Sequence, residues 1–328
     1  MVKRCILVLA LALPHAECAL SAAAKNDTEP YPAWRATAAR ILATRHDANS
    51  LATAAALTFL GPPSRSRTET AKAAGAALEL AEKASELAPD NSAISWLRLQ
   101  MCTNAPGCDI RAAATVMRWV AADNSVAWMP TLATALKDKD TTEVDRVLDD
   151  MAQGEHFDLY GNRAVVLMFD ALKRARRELP GGYLDSDWAR LTEATGIANA
   201  AVVPPFSPLI NACREAAMNT DRRDSCLTLS KTMQRADAVM AQLVGFAIEK
   251  RLSPMDAKEM HTIAERRHLL EWRVAATNQA DAQPRPKLKN ADARWQIGKM
   301  RIMPREEDVA IAILRKHHMA LDPPEDHR

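Results

Sequence analysis

Apolar and polar residues alternate along most of the chain with the spacing of amphipathic helices. Trp34, Ala38 and Leu42 fall on one face of the first such segment, because residues three or four positions apart share one side of a helix. A longer segment covers residues 68–88 and ends at Pro89, since proline cannot continue the helical hydrogen-bond ladder. Glycine is sparse, with 10 residues among 328, and alanine is abundant. The pattern and the composition together predict an all-α fold.

The helical segments follow one another in a repeat of two helices. The triplet Asp-Asn-Ser begins at Asp90 and again at Asp123, 33 residues later, and a third repeat starts at His156 after another 33 residues. Between these starts lie two helical segments joined by a short polar turn. A period of this length with two helices per repeat is typical of stacked helical hairpins. We therefore expect antiparallel helical hairpins that pack side by side.

The best-defined part of the repeat is the stretch KASELAPDNSAISW, residues 83–96. It resembles the tetratricopeptide-like (TPR-like) superfamily, in which a stretch of this kind closes one repeat and opens the next. The resemblance covers about residues 66–177 and implies an α-solenoid, a curved stack whose concave face binds a peptide or a partner protein. The Gly-Tyr pair that is usual in the first helix of each repeat is missing, and Arg98 and Leu99 follow Leu97 instead. No particular subfamily is therefore implied.

Two features divide the rest of the chain. A proline and two glycines at 180–182 interrupt the helical pattern and predict a boundary there. Residues 278–292, NQADAQPRPKLKNAD, predict a flexible linker, and residues 305–318 predict a last helix whose acidic start and basic end suit the helix dipole. The predicted parts are an N-terminal helical-repeat region (25–180), a second helical region (181–277), and a linker with a C-terminal helix (278–328).

Residues 1–24 have the layout of a cleaved secretory signal, with two basic residues, an apolar run and a small-residue stretch. We predict cleavage between Cys18 and Ala24. Lipid attachment at Cys18 is an alternative, although the preceding His-Ala-Glu lacks the aliphatic and small residues of such sites. No later segment offers the ~18 consecutive apolar residues of a membrane-spanning helix. The mature chain is thus predicted to be soluble and periplasmic or secreted, most simply in a bacterial envelope.

The charge balance of the chain excludes broad classes of partner. Without residues 1–24, 41 of the 43 basic residues and 40 of the 41 acidic residues remain. A mature charge near neutrality gives no electrostatic case for binding nucleic acid or an anionic membrane. The basic stretch LKRARREL at 172–179 is interpreted as a solvated helix flank. We therefore predict a protein or peptide partner and no nucleic acid.

Four cysteines remain after the signal: Cys102, Cys108, Cys213 and Cys226. An even number in a secreted protein predicts disulfides, and three pairings are possible. Local pairing, Cys102 with Cys108 and Cys213 with Cys226, fits best because each bridge then closes a short connection between two predicted helices. The spacing of the first pair is wider than that of a zinc knuckle, and no Cys-x-x-Cys redox motif is present.

One cluster of residues has metal-binding potential. His261, Glu265 and His268 lie at positions i, i+4 and i+7 on one face of a predicted helix, so they can ligate zinc together with a residue from elsewhere. The alternative is a solvated polar face, since such pairs are ordinary on exposed helices. The sequence has no Gly-rich phosphate loop and no Gly-x-Ser-x-Gly motif. We therefore predict no cofactor and assign no catalytic residue.

The leading functional hypothesis is a secreted or periplasmic scaffold that binds a protein or peptide in the cell envelope. Trp96, Trp119 and Trp128 fall at helical positions in the repeat region. Most are expected in the core, and one or two can face the groove of the stack. The alternative is a metal-binding protein or enzyme that uses the His261, Glu265 and His268 face. A third possibility is a structural subunit of an envelope assembly.

Overall fold

A computed structural model describes residues 31–61, 66–214, 219–252, 257–282 and 289–324. In these ranges the chain forms fifteen α-helices and one short 3₁₀ helix, with no β-strand. The all-α prediction is therefore confirmed. The predicted signal peptide, residues 1–24, lies outside the described residues. No described helix has both the length and the apolar character needed to cross a membrane.

The α-helices are numbered in chain order. They are α1 (Tyr31–Ala43), α2 (Ala48–Leu60), α3 (Arg67–Leu87), α4 (Ser92–Asn104), α5 (Ile110–Val120), α6 (Met129–Asp138), α7 (Thr141–Ala152), α8 (Gly161–Ala175), α9 (Asp187–Val202), α10 (Ser207–Ala212), α11 (Thr220–Met233), α12 (Val239–Leu252), α13 (Ala257–Ala282), α14 (Lys289–Ile302) and α15 (Glu306–Lys316); the 3₁₀ helix, Ser125–Trp128, precedes α6.

The repeated Asp-Asn-Ser triplet marks helix starts. The side-chain oxygen of Asn91 accepts hydrogen bonds from the backbone N–H groups of Ala93 and Ile94, at 3.1 and 3.2 Å, in the first turn of α4. Asn124 caps the 3₁₀ helix in the same way by accepting from the N–H of Val126. An asparagine at this position satisfies N–H groups that have no partner within the helix. The 33-residue interval thus records the spacing of two capped helix starts.

Helices α1 to α7 pack in succession, each against the next one along the chain. Helices α8 and α9 form a separate hairpin that packs back against α2 and α4. Two buried indoles help to hold it there: Trp34 Nε1 donates to the carbonyl of Pro180 at 3.1 Å, and Trp96 Nε1 donates to that of Val202 at 2.8 Å. The chain after α7 therefore folds back and packs against the first helices.

The C-terminal half adds helices to the α1–α7 succession and to the α8–α9 hairpin. Helix α11 packs against α7 and α12, α13 contacts α12 and α15, and α14 lies against α8, α9 and α15. One buried hydrophobic cluster extends from Trp34 in α1 to Ile297 in α14. Helix α14 and the last turn of α13 occupy parts of 278–292, where the sequence predicts a linker; residues 283–288 lie outside the described ranges. The predicted last helix is found as α15.

Both cysteine pairs expected from the sequence lie at disulfide distance. The sulfur atoms of Cys102 and Cys108 are 1.98 Å apart, and their Cα atoms are separated by 5.4 Å. Those of Cys213 and Cys226 are 1.99 Å apart, with a Cα separation of 5.7 Å. The first pair joins the end of α4 to the turn before α5, and the second joins the end of α10 to α11. Each bridge therefore fixes one helix connection.

Candidate functional site: a cleft along helix α8

A cleft of about 770 Å³ lies beside α8, between parts of the chain that are far apart in sequence. Its walls are the first turn of α2, the α3–α4 turn at residues 88–93, one face of α8 and the C-terminal end of α14. The α3–α4 turn contains the first Asp-Asn-Ser triplet. The most regular part of the sequence repeat thus forms one wall of a cavity.

The local sequence determines which groups face this cleft. Pro89 follows the end of α3, and the Asn91 cap starts α4, so the chain between them is held as a tight turn. On α8, Arg163, Val166 and Asp170 follow one another at three- and four-residue spacing, which places them on one helix face. Arg163 reaches across the cleft, where its Nη1 donates to Ser92 Oγ at 3.3 Å.

The floor of the cleft is partly apolar. Val166 and Met300 are partly buried, and Leu167 is buried. Ala88 and Pro89, from the α3–α4 turn, also line the cleft. Aliphatic side chains of a ligand would lose apolar contact with water on entering such a floor. A cavity that combines an apolar floor with a few fixed polar groups is the usual form of a binding site.

The basic stretch at 172–179 lies at one end of the cleft. A second cavity of about 420 Å³ is lined there by Asp170, Lys173, Arg174, Arg176 and Arg177. Asp170 lines both cavities, so the two adjoin each other at this residue of α8. The sequence predicts a solvated helix flank for these residues, and the four basic side chains are exposed. Their position beside the cleft depends on tertiary packing, which no local pattern reveals.

Salt bridges neutralise only part of this positive charge. Arg301 Nη2 lies 2.6 Å from Asp170 Oδ1, and Arg174 Nη2 lies 2.9 Å from Asp47 Oδ1. Neither Arg176 nor Arg177 forms a salt bridge with any residue that the structure describes. The end of the cleft therefore carries cationic groups that an anionic ligand can approach.

The residues predicted as a metal site lie elsewhere, on the exposed face of α13. His261 Nε2 is 3.2 Å from Glu265 Oε1, and the two side chains are 72% and 65% exposed. His268 is exposed as well. Within the described ranges, no group of three or more His, Cys, Asp or Glu side chains is arranged to hold a metal ion. Among the described residues, these three side chains are therefore not brought together as a metal site.

The three tryptophans of the repeat region do not line the cleft. Trp96 is fully buried, and Trp128 is partly buried with the guanidinium of Arg118 4.1 Å from its ring centroid. Trp119 on α5 is 89% exposed. The expectation that most tryptophans pack in the structure agrees with two of the three.

A second polar cluster, not anticipated from the sequence, joins three connections at the other end of α8. The side-chain carboxyl group of Asp237 accepts hydrogen bonds from the N–H groups of Leu159 and Tyr160, both at 2.7 Å. Glu306 Oε2 accepts one from the N–H of Val239 at 2.8 Å. Burial raises the pKa of Asp237 to about 8, with a further rise from the nearby Asp158 and a smaller lowering by the two N–H donors. Burial also raises the pKa of Glu306.

Comparison of the chain with protein-family models, with curated proteins and with solved structures found no match.

Proposed function

We propose that this protein is an interaction scaffold, built on a TPR-like stack of helical hairpins, that binds an extended segment of a partner protein in the α8 cleft. The observation that carries the proposal is the cleft itself, in which a partly apolar floor lies between polar walls. The succession of packed helices from α1 to α7 supports the TPR-like part of the proposal. In this arrangement α8 and α9 pack against α2 and α4. The binding surface is the cleft beside α8.

The same proposal places the protein outside the cytoplasm, in the periplasm or among secreted proteins. Two cysteine pairs at disulfide distance support an oxidising compartment, because disulfides persist there and are rare in reducing compartments. The signal-like layout of residues 1–24 supports the same location.

The experiment is a peptide selection with a blocked cleft as comparison. A phage-displayed library of random twelve-residue peptides is selected on residues 25–328, and the enriched peptides are measured for binding by fluorescence anisotropy. Val166→Arg places a long charged side chain on the floor of the cleft. Val116→Arg is the matched control, because Val116 lies on α5, outside the cleft, and is 39% exposed.

We expect Val166→Arg to reduce the affinity of the enriched peptides at least tenfold, since the floor is filled and apolar contacts are lost. Val116→Arg should bind as the unchanged protein does. Circular dichroism and urea unfolding verify that both variants are folded. Peptides that bind both variants equally, or a selection that enriches no peptide, would contradict the proposed function.

A further inference from the structure

We propose that the segment bound in this cleft is acidic at one end, so that its carboxylates lie among Lys173, Arg174, Arg176 and Arg177 while aliphatic side chains contact Val166, Leu167 and Met300. This inference rests on the proposed function and adds the chemical class of the ligand. It follows from the distribution of charge along the two cavities that share Asp170.

Basic side chains outnumber acidic ones along these cavities. Six basic residues line them, two from the cleft and four from its basic end, against only Asp90 and Asp170. The whole chain has a formal charge of only +2. The local excess is therefore a property of this surface and does not follow from the overall composition. An excess of one sign in a cavity raises the local concentration of ligands of opposite sign.

Among the described residues, Arg163, Arg176 and Arg177 have no carboxylate partner. Lys173 forms no salt bridge there, but it acts electrostatically on the carboxylate of Asp187. Asp170 neutralises Arg301, and Asp47 neutralises Arg174. Arg163 donates to a hydroxyl group, and the ammonium of Lys173 lies 5.7 Å from the ring centroid of Phe169. Arginine guanidinium groups bind carboxylates through two parallel hydrogen bonds and are weakly hydrated. Acidic side chains are therefore the ligand groups that best complement this end.

The spacing along α8 determines how long the segment must be. From Arg163 to the last residue of α8, Ala175, the chain advances twelve positions, which corresponds to about 18 Å along the helix axis. An extended peptide advances about 3.3 Å per residue. A segment of about six residues therefore spans the surface, with aliphatic side chains at the Val166 end and acidic ones at the Arg177 end.

The test uses the same peptide library on a charge-reversed protein. Arg176→Glu and Arg177→Glu are combined, because both side chains are exposed and neither forms a salt bridge with the described residues. The matched control combines Arg40→Glu and Arg235→Glu, two exposed arginines outside both cavities. Both variants change the net charge by the same amount, so a general effect of charge appears equally in each.

We expect peptides selected on the unchanged protein to carry Asp and Glu at one end and aliphatic residues at the other. Their affinity should fall about tenfold or more on Arg176→Glu with Arg177→Glu and should weaken with added salt. Affinity for the Arg40→Glu and Arg235→Glu control should change less than twofold. Selection on the variant reversed at 176 and 177 should instead enrich Lys and Arg.

Two results would overturn the inference, and they differ in their consequence for the proposed function. Peptides that depend on Val166 but are neutral or basic, and bind the variant reversed at 176 and 177 unchanged, retain the cleft and reject the acidic ligand. Acidic peptides that bind Val166→Arg as well as the unchanged protein reject both the inference and the proposed function, because binding then depends on charge alone and not on the cleft.

Discussion

The backbone N–H of Glu306 donates a hydrogen bond of 2.7 Å to the carbonyl oxygen of Asp237. This bond connects the start of α15 to the turn between α11 and α12, and the side-chain carboxyl groups of both residues also accept hydrogen bonds from backbone N–H groups. Asn162 adds a third connection, because its Nδ2 atom contacts the carbonyl oxygens of Met303 and Pro304 at 3.1 and 3.2 Å. The C-terminal helices are thus joined to the start of α8 through buried polar groups.

The first prediction concerns the pH dependence of stability. Burial raises the pKa of Asp237 from its usual 3.8 to about 8. Between these values the folded protein keeps a proton that the unfolded chain has lost, so the free energy of unfolding falls as the pH rises. The slope for one such proton is at most about 1.4 kcal/mol per pH unit. Urea unfolding between pH 5 and pH 8 measures it.

The Asp237→Asn variant tests whether Asp237, and not another carboxyl group, causes this pH dependence of stability. Asparagine does not ionise, so the variant should show a shallower dependence than the unchanged protein, although losing one N–H contact lowers its stability at pH 5. Asp138→Asn, at an exposed position in α6, is the control and should keep the full slope. Identical slopes for all three proteins would show that Asp237 does not carry the effect.

The second prediction concerns the two disulfides. The Cys102–Cys108 pair closes a loop with a sequence separation of 6, and the Cys213–Cys226 pair one of 13. A cross-link that closes a longer loop removes more conformational entropy from the unfolded chain. Replacing the first pair by serine should therefore lower the free energy of unfolding by about 2 kcal/mol, and replacing the second by about 3 kcal/mol.

Urea unfolding without reductant tests this order, and reduction of the unchanged protein should cost more than either double replacement. Thiol labelling after unfolding provides the control, because each variant should then expose no free cysteine among the remaining pair. A larger loss for the shorter loop, or free thiols in the unchanged protein, would refute the assignment of stability to these two bridges.

The helices of the first half were largely predictable because their signals are local. The spacing of apolar residues, Pro89 after α3 and the Asn91 cap all act within a few residues of the helix that they define. The positions of Cys102 and Cys108 at a predicted turn were informative for the same reason. Local spacing sufficed wherever neighbouring helices pack in succession.

The cleft was not predictable, because its walls come from residues near 49, 90, 166 and 300. No pattern within one segment indicates that α8 and α9 return to α2 and α4, or that a basic helix end borders an apolar floor. The same holds for Asp237, an isolated carboxylate in the sequence whose partners at 159 and 160 lie about 80 residues away. Helix α14 was missed because its polar start resembles a linker.

The third prediction separates two asparagines that look equivalent in the repeat. Among the described residues, the side chain of Asn91 forms hydrogen bonds only with the first turn of α4, so Asn91→Ala should lower the free energy of unfolding by about 1 kcal/mol. Asn124 is buried and caps its own helix, and in addition exchanges two hydrogen bonds with the backbone of Asp158 and donates to Tyr160 Oη at 2.8 Å. Asn124→Ala leaves these buried groups unpaired and should cost about 3 kcal/mol.

Urea unfolding of the two variants at one pH measures the difference. Asn124→Asp is an informative companion, because it keeps the acceptor of the cap but loses the two bonds that Nδ2 donates. We expect it to lose at least as much stability as Asn124→Ala, because an oxygen of its buried carboxylate then faces the carbonyl oxygen of Asp158. Equal losses for Asn91→Ala and Asn124→Ala would mean that the contacts with residues 158–160 contribute nothing, and that both triplets act only as helix caps.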